Sequence, residues 1–207
     1  MDVAEPGTVV LAPTASKVLR VLAGADTAFT VRELARLAGV SHTQAGRVVE
    51  HLSRHGLVLR EPAGAAIRCR LNRDHLAVAF VTGLANLRAA LFDELTKEVK
   101  GWPVQPAHCS LFGSAARGDG TTASDLDILV VRPAGVPTDD EAWQAQLSEA
   151  AERIFGRTGN HVSWFVLNPA ELAGAVASGE AVAEAWIDEG ILVAGKPLGA
   201  LVARAGR

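Results

Sequence analysis

Asp125 and Asp127 stand one residue apart at the head of the apolar run Ile128-Leu129-Val130-Val131. In a strand, alternate residues share a face, so the two carboxylates lie together while Leu126 and Ile128 point the other way. Two carboxylates side by side repel and are costly to desolvate. A bound divalent cation removes that penalty, and paired Asp oxygens suit Mg²⁺. Twelve to fourteen residues upstream, Leu111-Phe112 leads into Gly113-Ser114 and then Ala-Ala-Arg-Gly-Asp, which reads as a strand, a tight turn and the start of a helix. Backbone N–H groups at such a turn, with the Ser114 hydroxyl, form a pocket for nucleotide phosphates. Metal held by two Asp beside a phosphate cradle is what phosphoryl and nucleotidyl transfer require.

The whole constellation, Gly113-Ser114, Arg117-Gly118-Asp119 and Ser124-Asp125-x-Asp127, resembles the signature of the polymerase-β-like nucleotidyltransferase superfamily. It is most similar to the minimal and antibiotic nucleotidyltransferases of prokaryotes, over 107–131 and more loosely to about 198. The resemblance implies ATP or another nucleoside triphosphate bound with Mg²⁺ or Mn²⁺. Gly113 and Ser114 would hold the β,γ-phosphates, with Arg117 assisting or capping the turn and Ser124 contributing to the nucleotide site. Asp125 and Asp127 would be the catalytic, metal-holding pair, and Asp119 a structural residue. A hydroxyl of a protein, an antibiotic or a nucleic acid would attack the α-phosphorus.

The same resemblance implies a third carboxylate on a later strand, which activates the attacking hydroxyl. After the helix pattern of Asp140–Gly156, with Trp143, Leu147, Ala150, Ala151 and Ile154 inward, comes the strand Asn160–Asn168. Ser163 stands where the acid is expected, and serine is a poor base and a weak metal ligand. His161 shares its face in a regular strand and offers an imidazole base, and Glu171 and Glu180 are acids that could fold back.

The elements before this motif describe a second module. Thr30 and Glu33, then Ser41 and Gln44, are two capping boxes, each opening a short helix. Leu34, Leu37 and Ala38 form the inner stripe of the first; Ala45, Val48, Val49 and Leu52 form that of the second, which ends at Gly56. Val18, Leu19 and Leu22 lie on one side of a preceding helix. Leu57–Leu71 reads as strand, Pro-Ala-Gly turn, strand. Residues 14–73 so resemble the winged helix-turn-helix domains of bacterial transcription regulators. Thr43, Gln44 and Arg47 would then reach base edges in the major groove, while Arg54 and the wing residues Arg60, Arg68 and Arg70 meet phosphates. Glu50 on that face is unfavourable beside phosphate.

Charge supports the division. The chain of 207 residues carries −3 overall. Residues 1–75 hold 10 Lys and Arg against 7 Asp and Glu, and the rest is acidic. Six Arg against two Glu within 41–73 point to a polyanion contact. With 49% hydrophobic and 21% charged residues the composition is that of a soluble globular protein. Cys69 and Cys109, the two cysteines, give neither a disulfide framework nor a thiolate zinc site. The first residues lack a signal-peptide pattern and no apolar run approaches a membrane span, so a cytoplasmic protein without a membrane partner is expected.

The expected fold class is α+β (α/β mixed). It comprises a winged helix-turn-helix domain over 1–75, a connecting helix over 76–103 that either links the domains or makes a dimer interface, and a mixed-sheet nucleotidyltransferase domain over 104–207. Beyond 168, two short helices and a terminal hairpin or strand are expected. Three functions follow: an Mg²⁺-dependent transferase targeted or regulated by DNA binding; a transcription regulator whose nucleotidyltransferase domain, degenerate at Ser163, senses nucleotide or dimerises; and an antitoxin-like partner protein masking a toxin. Double-stranded DNA, a nucleotide, a protein acceptor or toxin and a second copy of the chain are the expected partners.

Overall fold

The computed structural model describes residues 1–64 and 66–205. The chain divides into two compact units, Glu5–Ala89 and a second formed by Met1–Ala4 with Ala90–Arg207.

In the first unit, a 3-10 turn (Pro6–Val9) precedes α1 (Pro13–Ala23), β1 (Phe29–Thr30), α2 (Val31–Ala38), α3 (His42–Arg54), β2 (Val58–Ala63), β3 (Ala66–Leu71) and α4 (Val78–Ala85). Both capping boxes are present: Thr30 and Glu33 bond reciprocally, as do Ser41 and Gln44. Each satisfies N–H groups that the first helical turn leaves without partners. Gly39 in the left-handed region (φ 62) ends α2 and starts the turn into α3. Val18, Leu19, Leu22, Leu34, Ala38, Ala45 and Val49 form the core, with Cys69 and Leu71 from the sheet. Leu37, expected inside, is 45% exposed; eight residues of helix bury only a narrow stripe, and Ala35 takes the inner position instead. The wing sheet runs β1-β3-β2, all antiparallel. β2 continues through Pro62 and Ala63, so the turn falls later than the expected Pro-Ala-Gly, with Gly64 (φ 62) in it. Pro62 is tolerated because β2 is an edge strand.

The single connecting helix expected over 76–103 is two helices. Asn86 ends α4, its N–H turned back onto the carbonyls of Thr82, Gly83 and Leu84, and α5 (Leu87–Lys100) begins at the next residue. Val81 of α4 belongs to the first core, whereas Leu91, Leu95 and Val99 of α5 belong to the second.

The second unit continues with β4 (His108–Phe112), α6 (Gly113–Arg117), β5 (Leu126–Val131), α7 (Glu141–Thr158), β6 (Val162–Leu167), α8 (Pro169–Ala177), α9 (Ala181–Asp188), β7 (Ile191–Gly195) and α10 (Leu198–Ala205). The last stretch, expected as a hairpin or strand, is thus β7 followed by a helix. Its sheet is ordered β6-β5-β4-β7; β5 and β6 are parallel and the other pairs antiparallel. One face packs Leu126, Ile128 and Val130 on Trp143, Leu147, Ala150 and Ile154 of α7 and on α5. The other packs Leu129 and Val131 on Leu172, Ala183 and Trp186 of α8 and α9. Each fully buried Leu or Ile here contributes roughly 1.5–3 kcal/mol, which anchors β5 in the middle of the sheet. Val3 of the N-terminal segment joins the first of these cores, and the N–H groups of Val3 and Ala4 donate to Gly120 O at 2.9 and 3.1 Å. Among the described residues no helix is long and apolar enough to cross a membrane.

Candidate functional site

β5 presents Asp127 on the face opposite Leu126 and Ile128, between Phe112 of β4 and Ser163 of β6 in register. Asp125 precedes the strand and is exposed; Asp127 is half-buried. Burial, and then the neighbouring Asp125 charge, push the Asp127 carboxyl above its ordinary range, while Arg117 acts in the opposite direction. The Ser163 hydroxyl donates to Asp125 Oδ2 at 3.1 Å. Serine therefore stands beside the pair at the corner where the resemblance places an acid. Among the described residues no group of three or more His, Cys, Asp or Glu could hold a metal ion. Two carboxylates nonetheless fit Mg²⁺, which keeps several waters and takes its remaining oxygens from substrate phosphates.

Gly113 follows β4 with φ 68 and lies against Asp127: a Cβ there would be 2.6 Å from Asp127 Oδ2. Only glycine allows both the turn and this approach. Gly118, Asp119 and Gly120 all donate their N–H groups to Ser114 O, at 3.0, 3.0 and 3.1 Å, and so close the short α6. Arg117 bonds Asp119 Oδ2 at 3.3 Å and Glu189 Oε2 at 2.7 Å. The same Glu189 oxygen accepts the Gly113 N–H at 3.1 Å. Glu189 is a site residue that sequence reading missed; an isolated Glu 76 residues downstream carries no signal. Ser124 is drawn into the 121–124 turn, its Oγ accepting from Thr121 N–H at 3.0 Å. Asn160, 2% exposed, was missed as well. Its Nδ2 donates to Ser124 O at 2.9 Å, and its Oδ1 accepts from the Met1 ammonium at 2.6 Å, which fixes the chain entering Asp125.

The other acids and the histidine lie elsewhere. Glu171 caps α8, accepting from Asn168 N–H at 2.6 Å, and pairs with Arg132 at 3.6 Å. Glu180 accepts from the Ser178 hydroxyl at 3.3 Å. His161 stacks on Phe155 of α7, with ring centroids 4.5 Å apart and planes at 22°. It turns toward the helix that covers the other sheet face, because β6 begins only at Val162 and the alternation does not reach back to it.

On the first unit, Thr43, Gln44, Arg47 and Arg54 are exposed on α3, and Arg60, Arg68 and Arg70 on the wing. They are not equivalent. Gln44 Oε1 is occupied by the Ser41 N–H at 3.0 Å, which leaves its amide N–H groups for a base. Arg70 is paired with Glu61 at 2.7 Å. Arg68 stands opposite Glu61 in register and shares its face with Arg70. Arg60 is opposite Cys69, on the other face of the wing, so one phosphate strand cannot meet all three directly. Glu33 is held below the usual carboxylate range, first by the Thr30 N–H and hydroxyl and to a smaller extent by Arg68 and Arg36.

Residues 11–66 match the model of the MarR family, and residues 87–159 match that of the nucleotidyltransferase domain. Among curated proteins none matches the chain. Among solved structures, a MarR family transcriptional regulator from Silicibacter pomeroyi DSS-3 is 28% identical over 44% of this chain and 64% of that one, with a TM-score of 0.35. The present chain thus spans a little under two thirds of that regulator's length. A toxin-antitoxin structure with AMP-PNP is 14% identical over 55% of this chain and 82% of that one, with a TM-score of 0.37. The chain joins a MarR-like winged-helix domain to a nucleotidyltransferase domain.

Proposed function

We propose that the protein is a DNA-binding regulator whose nucleotidyltransferase domain takes up an Mg²⁺-bound nucleoside triphosphate, ATP in the first instance, and holds it without efficient transfer. The observation that carries this reading is the corner beside Asp125 and Asp127. It is filled by Ser163, which is already bonded to Asp125. Asp125 and Asp127 would hold Mg²⁺ or Mn²⁺, which offsets the charge of the phosphates. Gly113 N–H, Ser114 and Arg117 orient the phosphate chain, and Ser124, tied to Asn160, positions Asp125. Without a carboxylate at 163, no third acid among the described residues stands beside the pair to take the proton of an attacking hydroxyl.

The winged helix supplies the output. Thr43, Arg47 and the amide of Gln44 read bases, and Arg54 with the wing arginines binds phosphate. One such module reads a half-site, so specific binding calls for a homodimer on a two-fold related operator.

A second reading is favoured by the intact Gly113-Ser114 turn and Asp pair: transfer of a nucleoside monophosphate to a hydroxyl of a protein, such as a partner toxin, or of a small molecule. One experiment separates the two. The protein is incubated with α-labelled ATP, GTP, CTP and UTP, Mg²⁺ and cell lysate, beside an Asp125→Ala/Asp127→Ala control, while nucleotide binding is followed by calorimetry. Asp-dependent binding without label transfer supports the regulator; Asp-dependent transfer establishes the enzyme. Absence of binding would reject the nucleotide site altogether. DNA binding is tested separately by selection from a random duplex pool.

A further inference from the structure

We infer that Glu189 is an internal competitor for the phosphates, an affinity-determining residue that any nucleotide must displace; the inference rests on the nucleotide reading above. One oxygen of Glu189 receives both the Gly113 N–H at 3.1 Å and Arg117 Nη1 at 2.7 Å. A single anionic oxygen shared by a backbone N–H and a guanidinium is how a phosphate oxygen would be received there. Gly113 opens a helix of only five residues, whose N-terminus alone would not make an anion site. The guanidinium, and the carboxylate seated on both donors, make it one.

The seat is built by the fold. β7 pairs with β4, with Ile191 opposite Leu111, and this brings the end of α9 alongside Gly113. Glu189 closes α9, its N–H bonded to Ala185 O at 3.0 Å. Gly190 then turns the chain where a Cβ would collide with the Trp186 carbonyl. The contact is also open to exchange. The side chains of Arg117 and Glu189 are 47% and 27% exposed, and a solvent-accessible pair of this kind is weakly held. Arg117 also bonds Asp119 at 3.3 Å, a second contact that does not involve Glu189. Among the described residues Glu189 forms no metal-holding cluster with Asp125 and Asp127; its carboxylate faces the Gly113 N–H and the Arg117 guanidinium instead.

The apparent affinity for nucleotide then equals the intrinsic affinity multiplied by the fraction of molecules with the seat vacated. A single phosphate exchanges one anion for another and gains little. A metal-bound triphosphate that also engages Asp125 and Asp127 gains enough to displace the carboxylate.

The test is calorimetric titration of Mg²⁺-ATP and Mg²⁺-ADP into the full chain, its Glu189→Gln variant and its Glu189→Asp variant, with melting curves recorded without nucleotide. Glu189→Gln is expected to bind Mg²⁺-ATP about two- to fivefold more tightly, the upper range of an exposed ion pair. Glu189→Asp, too short to reach both donors, is expected to fall between. If Glu189→Gln misfolds in the melting curves, Glu189→Asp carries the same comparison. Equal or weaker binding by the folded variants, with the wild type binding, overturns the competitor while leaving the nucleotide site intact. Absence of binding by every form overturns the nucleotide reading, and the competitor with it.

Discussion

Ser163 lies beside Asp127 across the parallel pairing of β5 and β6, and its hydroxyl donates to Asp125 Oδ2 at 3.1 Å. One side chain thus touches one carboxylate and neighbours the other. Replacing it by Asp would set three acids together. Ser163→Asp is expected to lower stability by about 1 kcal/mol in EDTA, through like-charge repulsion across neighbouring strands. Millimolar Mg²⁺ should restore most of it, because a ligand of the native state stabilises by mass action. Melting curves with and without Mg²⁺ check this, and a loss indifferent to the metal would count against a metal site. Label transfer from α-labelled ATP should rise in the same variant.

Asp127 gives a pH signature. Its carboxyl is raised above the ordinary value of 3.8, first by burial and then by Asp125. Between that value and the raised one, the native state holds more proton than the unfolded chain, so stability falls as pH rises through the window. The penalty is complete above it. Asp127→Asn should therefore stabilise the protein at neutral pH by a few tenths to about 1 kcal/mol, allowing for solvent screening. The advantage should vanish below the ordinary Asp value, and Mg²⁺-nucleotide binding should be lost. Denaturant midpoints measured across pH 3–8 (a range of about five units, chosen to bracket the carboxylate pKa values) test the sign.

Two glycines make a matched pair. Gly113→Ala forces a positive φ on a β-carbon aimed at Asp127, at a cost of about 1–3 kcal/mol, and should abolish nucleotide binding. Gly174, exposed within α8, has open space where a Cβ would go. Gly174→Ala is expected to stabilise by about 0.5–1 kcal/mol through helix propensity. Opposite signs in one thermal assay verify the local geometry.

The winged helix predicts unequal arginines. Arg47 is exposed on α3, and Arg47→Ala should weaken operator binding by about 1–3 kcal/mol if it reads a base. Arg70 is already paired with Glu61 at 2.7 Å, so Arg70→Ala should weaken binding by less than half as much. Glu61→Ala should strengthen binding and steepen its salt dependence. Fluorescence anisotropy as a function of KCl concentration measures all three.

What could be read in advance was what the chain encodes locally. Gly113, Ser114, Asp125 and Asp127 fall within fifteen residues, and a strand's period places the two Asp together whatever surrounds them. Thr30 with Glu33 and Ser41 with Gln44 act over three residues each, and both capping boxes formed. Leu37 was misread because periodicity defines a stripe but not its edges. The break at Asn86 carries no Gly or Pro, and it arises because the helices on either side serve different cores. Glu189 and Asn160 reach the site through strand order and through the end of α7, and neither leaves a trace in the residues around it. The division of the wing arginines between two faces followed from register, which composition does not contain.

The bond from Gly113 to Glu189 closes 76 residues of chain, and the bond from Asn160 to Ser124 closes 36. Loops of that length carry a closure cost before any contact rewards them. The contact of Glu189 with Gly113 and Arg117 can form only once β4 has found β7, the last strand of the sheet to be synthesised. A ribosome-bound chain that ends before Glu189 therefore has its Gly-Ser turn and its Asp pair but no carboxylate to bond the Gly113 N–H and Arg117. During synthesis, both donors are in place before the carboxylate that joins them.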